Sequence, residues 1–408
     1  MPKSNNAALA AFFFTYFAFI GAVNPYFSLW LKDQGFSFHD IGILLAIPPA
    51  MRLIGSTSWG RLADKTGQRV KWIRLMAHCS VAGMLVVGLS PYWGTWAFAG
   101  AVLGLVMMHA MLSGQIPLTE SLLLQKIGAN LKDYGPIRLY GSLGFVVAVL
   151  LFGPLLDYLG TQWLMPLGAG ILLIHIAVSW QLRDANPPKK PNITEQEKDH
   201  SDSTSLLQIL RRPHIKLFLI ASFLMIFGHM GLYIYFSLYL EAAGFSKTMI
   251  GFLWALSAIA EIGYFWMQPR LKSSAVTGYT RSYWLAAVRF GALAWLAIPL
   301  GSPVWLLAVL QCAHMGTFAL HHAASMVLLK QLFPANAGST ANALFNTVSY
   351  GLAGSVGALA CAWVWQHFSA LDAVAHSHIG AQAVFTMGAI SCALGGLAAW
   401  RLRLRLKL

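Results

Sequence analysis

An internal repeat constrains this chain more than any other feature, because two stretches 209 residues apart have nearly the same sequence. Residues 26–47 (YFSLWLKDQGFSFHDIGILLAI) and residues 235–256 (YFSLYLEAAGFSKTMIGFLWAL) align without a gap, and 12 of the 22 positions are identical. A shorter match pairs residues 140–148 with residues 350–358. Since the offset is about half of the 408-residue chain, we expect two copies of one structural unit. In a hydrophobic chain, parallel repeats of this kind are typical of transporters with a substrate path between two halves.

The composition is that of a membrane protein. Hydrophobic residues make up 57% of the chain and charged residues 10%, whereas soluble domains carry about 25% charged residues. Backbone amides in lipid must be hydrogen-bonded internally, so apolar segments long enough to span about 30 Å are predicted to be helices. The sequence therefore predicts an all-α membrane protein with twelve transmembrane helices in two parallel repeats of six. The predicted helices lie at residues 7–31, 40–59, 72–90, 95–120, 134–157, 163–182, 215–240, 248–268, 281–300, 304–332, 338–367 and 381–400.

The predicted domain organisation is two six-helix bundles and a polar connection. The bundles cover residues 1–183 and 213–408, and the connection covers residues 184–212. This connection is the one long polar stretch of the chain, and its composition is typical of a flexible linker. A linker of this size is too poor in apolar residues to form an output domain, which disfavours a membrane sensor.

The net charge of +14 is placed on one side of the predicted bundle. With the N-terminus in the cytoplasm, 23 of the 28 Lys and Arg residues fall on cytoplasmic segments or helix ends. This positive-inside pattern predicts that both termini are cytoplasmic. The basic C-terminal residues 401–407 are interpreted as an anchor beside anionic lipid, and a nucleic-acid partner is not expected.

The loop after the second predicted helix reads GRLADKTGQRVK, at residues 60–71. Gly60 and Gly67 allow a tight turn, Asp64 can cap or pair, and Lys65 and Arg69 can hold neighbouring helix ends. This loop resembles the signature G-x-L-A-D-[RK]-x-G-R-[RK] of the major facilitator superfamily, although Gln68 departs from it. The resemblance covers the whole chain, and it implies two six-helix halves that move about a central substrate site, with this loop involved in the conformational change.

Three further stretches resemble one branch of that superfamily, which contains the lactose permease, the nucleoside:proton symporters and the phenylpropionate permease. They are residues 12–31, 133–145 and 310–323. The resemblance implies that Glu120 and Arg138 grip the substrate, and it places Glu261, Arg289 and His314 at the positions of functional residues of the second half. The branch uses a carboxylate for the proton three residues after its histidine, and here that position is Thr317, so the mechanism of the lactose permease is not carried over intact.

Five charged side chains lie well inside predicted helices or at their inner ends: Arg52, Glu120, Arg138, Glu261 and Arg289. A charge at the bilayer centre costs roughly 2.5–3.5 kcal/mol, so these side chains should face a cavity or one another. Arg52 and Glu261 are equivalent in the repeat and could pair. Three arginines against two glutamates leave one positive charge, which an anionic substrate such as a carboxylate would balance. The alternative is that Arg138 and Glu120 only bridge or snorkel at their helix ends.

Other candidate side chains are polar or aromatic. One helical face could present Gln311, His314, Thr317 or Phe318, and His321 to the cavity. Glu261 or Glu120 could take up the proton, and His314 could carry or relay it, since histidine titrates near neutrality. Tyr16 and Tyr26 lie on the first predicted helix, where aromatic side chains would suit a planar solute. Each could equally be a packing residue. No metal-ligand spacing or cofactor motif occurs, so neither a metal nor a cofactor is expected.

The sequence-based hypothesis is a proton symporter of a small organic solute, most plausibly an aromatic carboxylate, that works as a monomer in a bacterial-type inner membrane. Sugar or nucleoside symport and drug or metabolite efflux remain open, and a non-transporting sensor is the alternative from another class. An enzyme is not expected, because the chain has no GxSxG, HExxH or nucleotide-binding loop.

Overall fold

In a computed structural model, every described residue is in a helix, a turn or a connecting stretch, and no strand occurs among them. The structure describes residues 4–127, 134–184, 206–270, 274–334, 338–369 and 378–406. The α-helices are α1 Ser4–Asp33, α2 Phe38–Thr66, α3 Arg69–Leu89, α4 Ala97–Ile127, α5 Tyr134–Leu159, α6 Leu164–Ser179, α7 Leu206–Arg211, α8 Pro213–Ala242, α9 Lys247–Met267, α10 Ala275–Ala292, α11 Val304–Cys312, α12 Leu320–Leu332, α13 Gly338–Asn346, α14 Gly354–Ser369 and α15 Ile379–Arg405. The predicted all-α class is confirmed.

Ten helical segments of the described ranges are long and apolar enough to cross a membrane. One of them, Arg69–Ile127, is 59 residues long and contains both α3 and α4. These two helices fold back on each other, because a Cβ on Gly83 would lie 2.6 Å from the backbone nitrogen of Met108, and one on Gly104 would lie 2.7 Å from that of Val87. The helix at 275–297 is more polar and is not among the ten. The count of twelve crossings therefore stays a prediction.

The described chain forms two compact units. The first contains residues 1–188 and also residues 237–255, and the second contains residues 189–236 and 256–408. The predicted bundle boundaries at 183 and 213 stay a prediction, and residues 185–205 of the predicted linker lie outside the described residues.

Close backbone contact holds α1 against α5 in the first unit. A Cβ on Gly144 would meet the carbonyl oxygen of Phe14, and a Cβ on Gly21 would meet that of Phe145. The Tyr26 hydroxyl donates to the carbonyl of Val149 at 2.8 Å in the same interface. Only glycine allows backbones to approach this closely, which is a common way of packing helices in membranes.

Residues 237–255 of the first unit are held at their polar ends. The Asp157 carboxylate, at the end of α5, accepts hydrogen bonds from the backbone N–H groups of Lys247 and Thr248, both at 2.8 Å. It thereby caps the first turn of α9. Lys32 and Glu241 form an ion pair at 3.0 Å.

Short π-helical segments interrupt several helices of the second unit. Within the described residues, π-helical segments occur at Leu293–Ala297, Met315–Ala319 and Thr347–Ala353, all in this unit. The middle segment joins α11 to α12 and carries Thr317 and Phe318. Such segments leave backbone groups without regular partners and are frequent at functional sites.

Candidate substrate and proton-coupling site

Arg138 and Glu120 form an ion pair in the first unit. Nε of Arg138, on α5, is 3.3 Å from Oε1 of Glu120 on α4. The guanidinium lies against Phe17 of α1, 4.5 Å from the ring centroid, and Phe13 is at 5.3 Å. The two charged side chains keep 30% and 33% of their area exposed. The contact to Glu120 uses Nε, so the Nη1–Nη2 fork is not consumed by it.

The other predicted residues of the first unit lie in different surroundings. Tyr16 is buried and donates its hydroxyl hydrogen bond to the carbonyl of Leu112 at 3.2 Å. Tyr26 is fully buried, and its hydroxyl packs α1 on α5. Arg52 is exposed on α2. The structure therefore brings Glu120 and Arg138 together, and it places Tyr26 in the core of the unit.

The signature loop connects α2 to α3. Gly67 has φ 67°, which glycine adopts without strain, and it ends α2 with a hydrogen bond from its N–H to the carbonyl of Ala63. Arg69 and Asp64 form an ion pair at 2.6 Å across the turn. Lys65 is exposed, and a side chain on Gly60 would meet no neighbour within 4 Å. The predicted turn and ion pair are present, while the role of this loop in transport stays a prediction.

A second cluster surrounds the buried Arg289 of α10, in the second unit. Its Nε donates to the carbonyl of Leu310 at 2.5 Å, and its Nη2 donates to Oε1 of Gln311 at 3.1 Å. Its Nη1 lies 2.8 Å from Nδ1 of His314 and 3.3 Å from Oγ1 of Thr317. Gln311, His314 and Thr317 thus converge on one guanidinium, and all three of its nitrogens are bound.

His314 links this arginine to Glu261. Nε2 of His314 lies 3.0 Å from Oε1 of Glu261, on α9. Arginine has no acceptor, so Nδ1 of His314 must accept from Arg289. The ring proton then sits on Nε2 and is donated to the Glu261 carboxylate. His314 is therefore held neutral in this arrangement, between a cation and an anion.

Most of this chain matches a known protein family. The sequence model of the MFS_1 like family matches residues 7–375. The chain belongs to this family. It is a transporter of the major facilitator superfamily and not an enzyme, as the sequence predicts.

Relatives of this major facilitator transporter are named for different solutes. A "Probable 3-phenylpropionic acid transporter" from Escherichia coli (strain K12) is 28% identical over 78% of this chain and 80% of that protein. A "Maltose permease" from Geobacillus stearothermophilus is 30% identical over 84% of this chain and 82% of that protein. The crystal structure of nucleoside transporter NupG superposes with a TM-score of 0.80 at 15% identity, covering 97% of this chain and 98% of that one. The structural likeness shows a shared fold.

His229 of this transporter also belongs to the Arg289 cluster, although the sequence does not indicate it. Its Nδ1 donates to the carbonyl of Met225 at 2.8 Å, and its Nε2 lies 3.4 Å from Oγ1 of Thr317. No spacing along the chain connects position 229 with positions 289 and 317, so only the packing of α8 reveals it. The predicted His321 instead stacks on Tyr279, with ring centroids 5.1 Å apart.

Phe318 and Tyr233 give the cluster an aromatic border. The Phe318 ring stacks on His314, with centroids 5.2 Å apart and an interplanar angle of 12°. Tyr233 lies edge-on to both rings, with centroids 6.4 Å from each. Within the described ranges, no group of three or more His, Cys, Asp or Glu side chains is placed to hold a metal ion.

Proposed function

We propose that this transporter is a proton-coupled symporter of a small aromatic carboxylate. It works as a monomer in a bacterial inner membrane with both termini in the cytoplasm. The observation that carries proton coupling is the contact between His314 Nε2 and the Glu261 carboxylate, with Arg289 on the other ring nitrogen. The positive-inside charge pattern supports the orientation.

Glu261 is the group that takes up and releases the proton in this proposal. His314 can gain a second proton, on Nδ1, only if Arg289 moves away, because a protonated Nδ1 and the Nη1 of Arg289 would both be donors. Arg289 stays charged throughout. Of the groups that interact with Glu261, Arg289 comes from α10, and His314 and His322 come from the α11–α12 segment. Protonation of Glu261 would therefore change the charge of the cluster without changing that of His314.

The Arg138 site supports a carboxylate as the cargo. Arginine binds carboxylates through two parallel hydrogen bonds, and its Nη1–Nη2 fork is not consumed by Glu120. One relative is named as a probable transporter of 3-phenylpropionic acid, which is an aromatic carboxylic acid.

Charge balance explains how uptake of the solute would be coupled to uptake of the proton. A carboxylate buried without a partner is costly in a membrane, so the carrier should reorient only when each charge is paired or neutralised. The substrate anion would pair with Arg138, and the proton would neutralise Glu261. Because binding of one ligand then favours the state that binds the other, uptake of solute and proton are linked.

The proposal is tested in proteoliposomes with an imposed pH gradient. Wild-type protein should accumulate 3-phenylpropionate, and Glu261→Gln should abolish this accumulation while exchange of labelled for unlabelled solute at equal pH continues. The matched control is Glu241→Gln, which changes a carboxylate that pairs with Lys32 of α1; this variant should keep the coupling. If the wild-type protein accumulates 3-phenylpropionate equally with and without the pH gradient, proton symport is ruled out.

The anion site has a separate readout in the same vesicles. Arg138→Gln should abolish binding of 3-phenylpropionate and spare the neutral 3-phenylpropan-1-ol, because only the carboxylate needs the guanidinium fork. An equal loss of both compounds would count against a carboxylate site at Arg138.

Sugar symport is the second candidate. The relative named maltose permease is 30% identical over 84% of this chain, and an ion pair such as Glu120–Arg138 offers both acceptors and donors to sugar hydroxyls. Gradient-driven accumulation of maltose, but not of 3-phenylpropionate, would favour this candidate.

A further inference from the structure

Gly141 lies where a side chain would strike the Arg138 guanidinium. It is buried on α5, three residues after Arg138, and residues at this spacing share one helix face. A Cβ at position 141 would lie 2.7 Å from Nη1 of Arg138 and 2.8 Å from Cδ2 of Phe17. Distances this short force a neighbour to move, so any other residue here would displace the guanidinium or the ring.

Gly144, one turn further along α5, has a different role. Its Cβ would meet the backbone of Phe14, so its lack of a side chain serves the packing of α1 against α5. The atoms nearest to position 141 are all side-chain atoms, from Arg138 and Phe17. A substitution at 141 is therefore expected to change the Arg138 site and leave the helix packing in place.

We infer that Gly141 is a specificity-determining residue: by leaving room for the Arg138 guanidinium over the Phe17 ring, it directs the Nη1–Nη2 edge to a planar oxyanion. The Phe17 ring covers one face of the guanidinium, and Glu120 takes Nε. The remaining edge matches a carboxylate bound in the guanidinium plane through two hydrogen bonds. This inference rests on the proposed function of Arg138 and adds the residue that sets its orientation.

The experiment compares Gly141→Ala with wild type for two probes, 3-phenylpropionate and 3-phenylpropan-1-ol. The variant should weaken binding of the carboxylate roughly tenfold, because loss of the cation–π contact that orients the guanidinium is expected to reduce affinity by about this factor. Binding of the alcohol and the maximal transport rate at saturating carboxylate should stay unchanged. Gly135→Ala on the same helix is the matched control, because a Cβ there meets no atom within 4 Å. Unchanged carboxylate affinity in Gly141→Ala, or an equal loss for both probes, overturns the inference.

A second variant keeps the test valid if Gly141→Ala does not fold. Phe17→Leu removes the ring and leaves the backbone space of position 141, so it should cause the same carboxylate-specific loss. The double variant should lose less than the sum of the two single losses, since both act through the same stacking contact. A carboxylate affinity of Phe17→Leu equal to that of the wild type, or strict additivity, contradicts the inference.

Arginine-selective labelling separates this inference from the proposed function. Phenylglyoxal modification of Arg138, followed by peptide mass spectrometry, needs no substrate and should be several-fold faster in Gly141→Ala than in wild type and Gly135→Ala. Faster labelling together with a wild type that binds no carboxylate would reject the proposed substrate and retain the role of Gly141 in orienting Arg138. Unchanged labelling would reject that role.

Discussion

Histidine illustrates at the residue scale how contacts, and not residue type, decide a role. His175 lies in the first unit, fully buried, between Thr15 and Gln115. Nε2 of Gln115 donates to Ser80, so its Oε1 must accept the proton from Nε2 of His175 at 2.8 Å. Nδ1 then accepts from the Thr15 hydroxyl at 2.7 Å. A neutral ring satisfies both of these hydrogen bonds, so His175 links α6 to α1 and α4.

His175→Ala should therefore reduce stability and not coupling. It leaves Thr15 and Gln115 without their buried partner, and a lost buried hydrogen-bond partner costs about 1–3 kcal/mol. We expect the free energy of unfolding in detergent to fall by roughly 2–4 kcal/mol for the two contacts. His39→Ala, an exposed residue, is the control and should change it little. A His175→Ala protein of wild-type thermal stability would show that this chain of hydrogen bonds stabilises nothing.

The sequence was informative about the site where spacing along one helix carries the chemistry. Gln311, His314 and Thr317 share a helical face, and all three reach Arg289. The partner of Glu261 was not predictable, because it depends on how α9 packs on the π-helical turn after α11. The repeat suggests that Arg52 could pair with Glu261, and this stays a prediction; the structure shows His314 at 3.0 Å from this carboxylate.

Individual helices follow their end signals at the element scale. Ser37 and Asp40 form a capping box that begins α2, and Gly67 ends that helix in the left-handed conformation. These ends are readable because each depends on residues within one turn. The π-helical segments were not predicted, since their extra residue per turn reflects packing within the second unit and leaves no local pattern.

The α1–α5 contact yields a prediction at this scale. Gly144→Ala would place a methyl group against the Phe14 backbone, which cannot rotate away. Overpacking of this kind typically costs about 1–3 kcal/mol, so we expect a lower melting temperature and poor yield. Gly170→Ala on α6 faces open space and should keep or slightly raise stability, because alanine is the better helix former. Equal melting temperatures for the two variants would mean that α1 and α5 can separate at no cost.

The whole molecule shows what duplication specifies and what it leaves open. The repeat predicted that residues 26–47 and 235–256 have the same local structure, and each contains a helix end, a glycine turn at positive φ and a new helix start. It did not predict that residues 237–255 pack within the first unit. Lys32 and Glu241 occupy equivalent positions of the two copies and form an ion pair with each other. Divergence at equivalent positions can thus create the contact that joins the copies, which no single copy reveals.

The number of membrane crossings is the last prediction and depends on the Arg69–Ile127 segment. A straight helix of 59 residues would be about 88 Å long, nearly three times the hydrocarbon thickness of about 30 Å. The chain instead reverses at Gly94, where φ is 58° and ψ is −123°, next to the highly exposed Tyr92. Two crossings with their basic ends on the same side then satisfy the positive-inside rule for Lys71 and Lys126.

Labelling of single cysteines, placed in a cysteine-free background, with a membrane-impermeant maleimide tests this arrangement. Tyr92→Cys should react in intact cells, and Lys71→Cys and Lys126→Cys should react only after permeabilisation. Lys71→Cys and Lys126→Cys reacting from opposite sides would exclude the hairpin and the twelve-crossing count, while reversal of all three patterns would invert the orientation and keep the count.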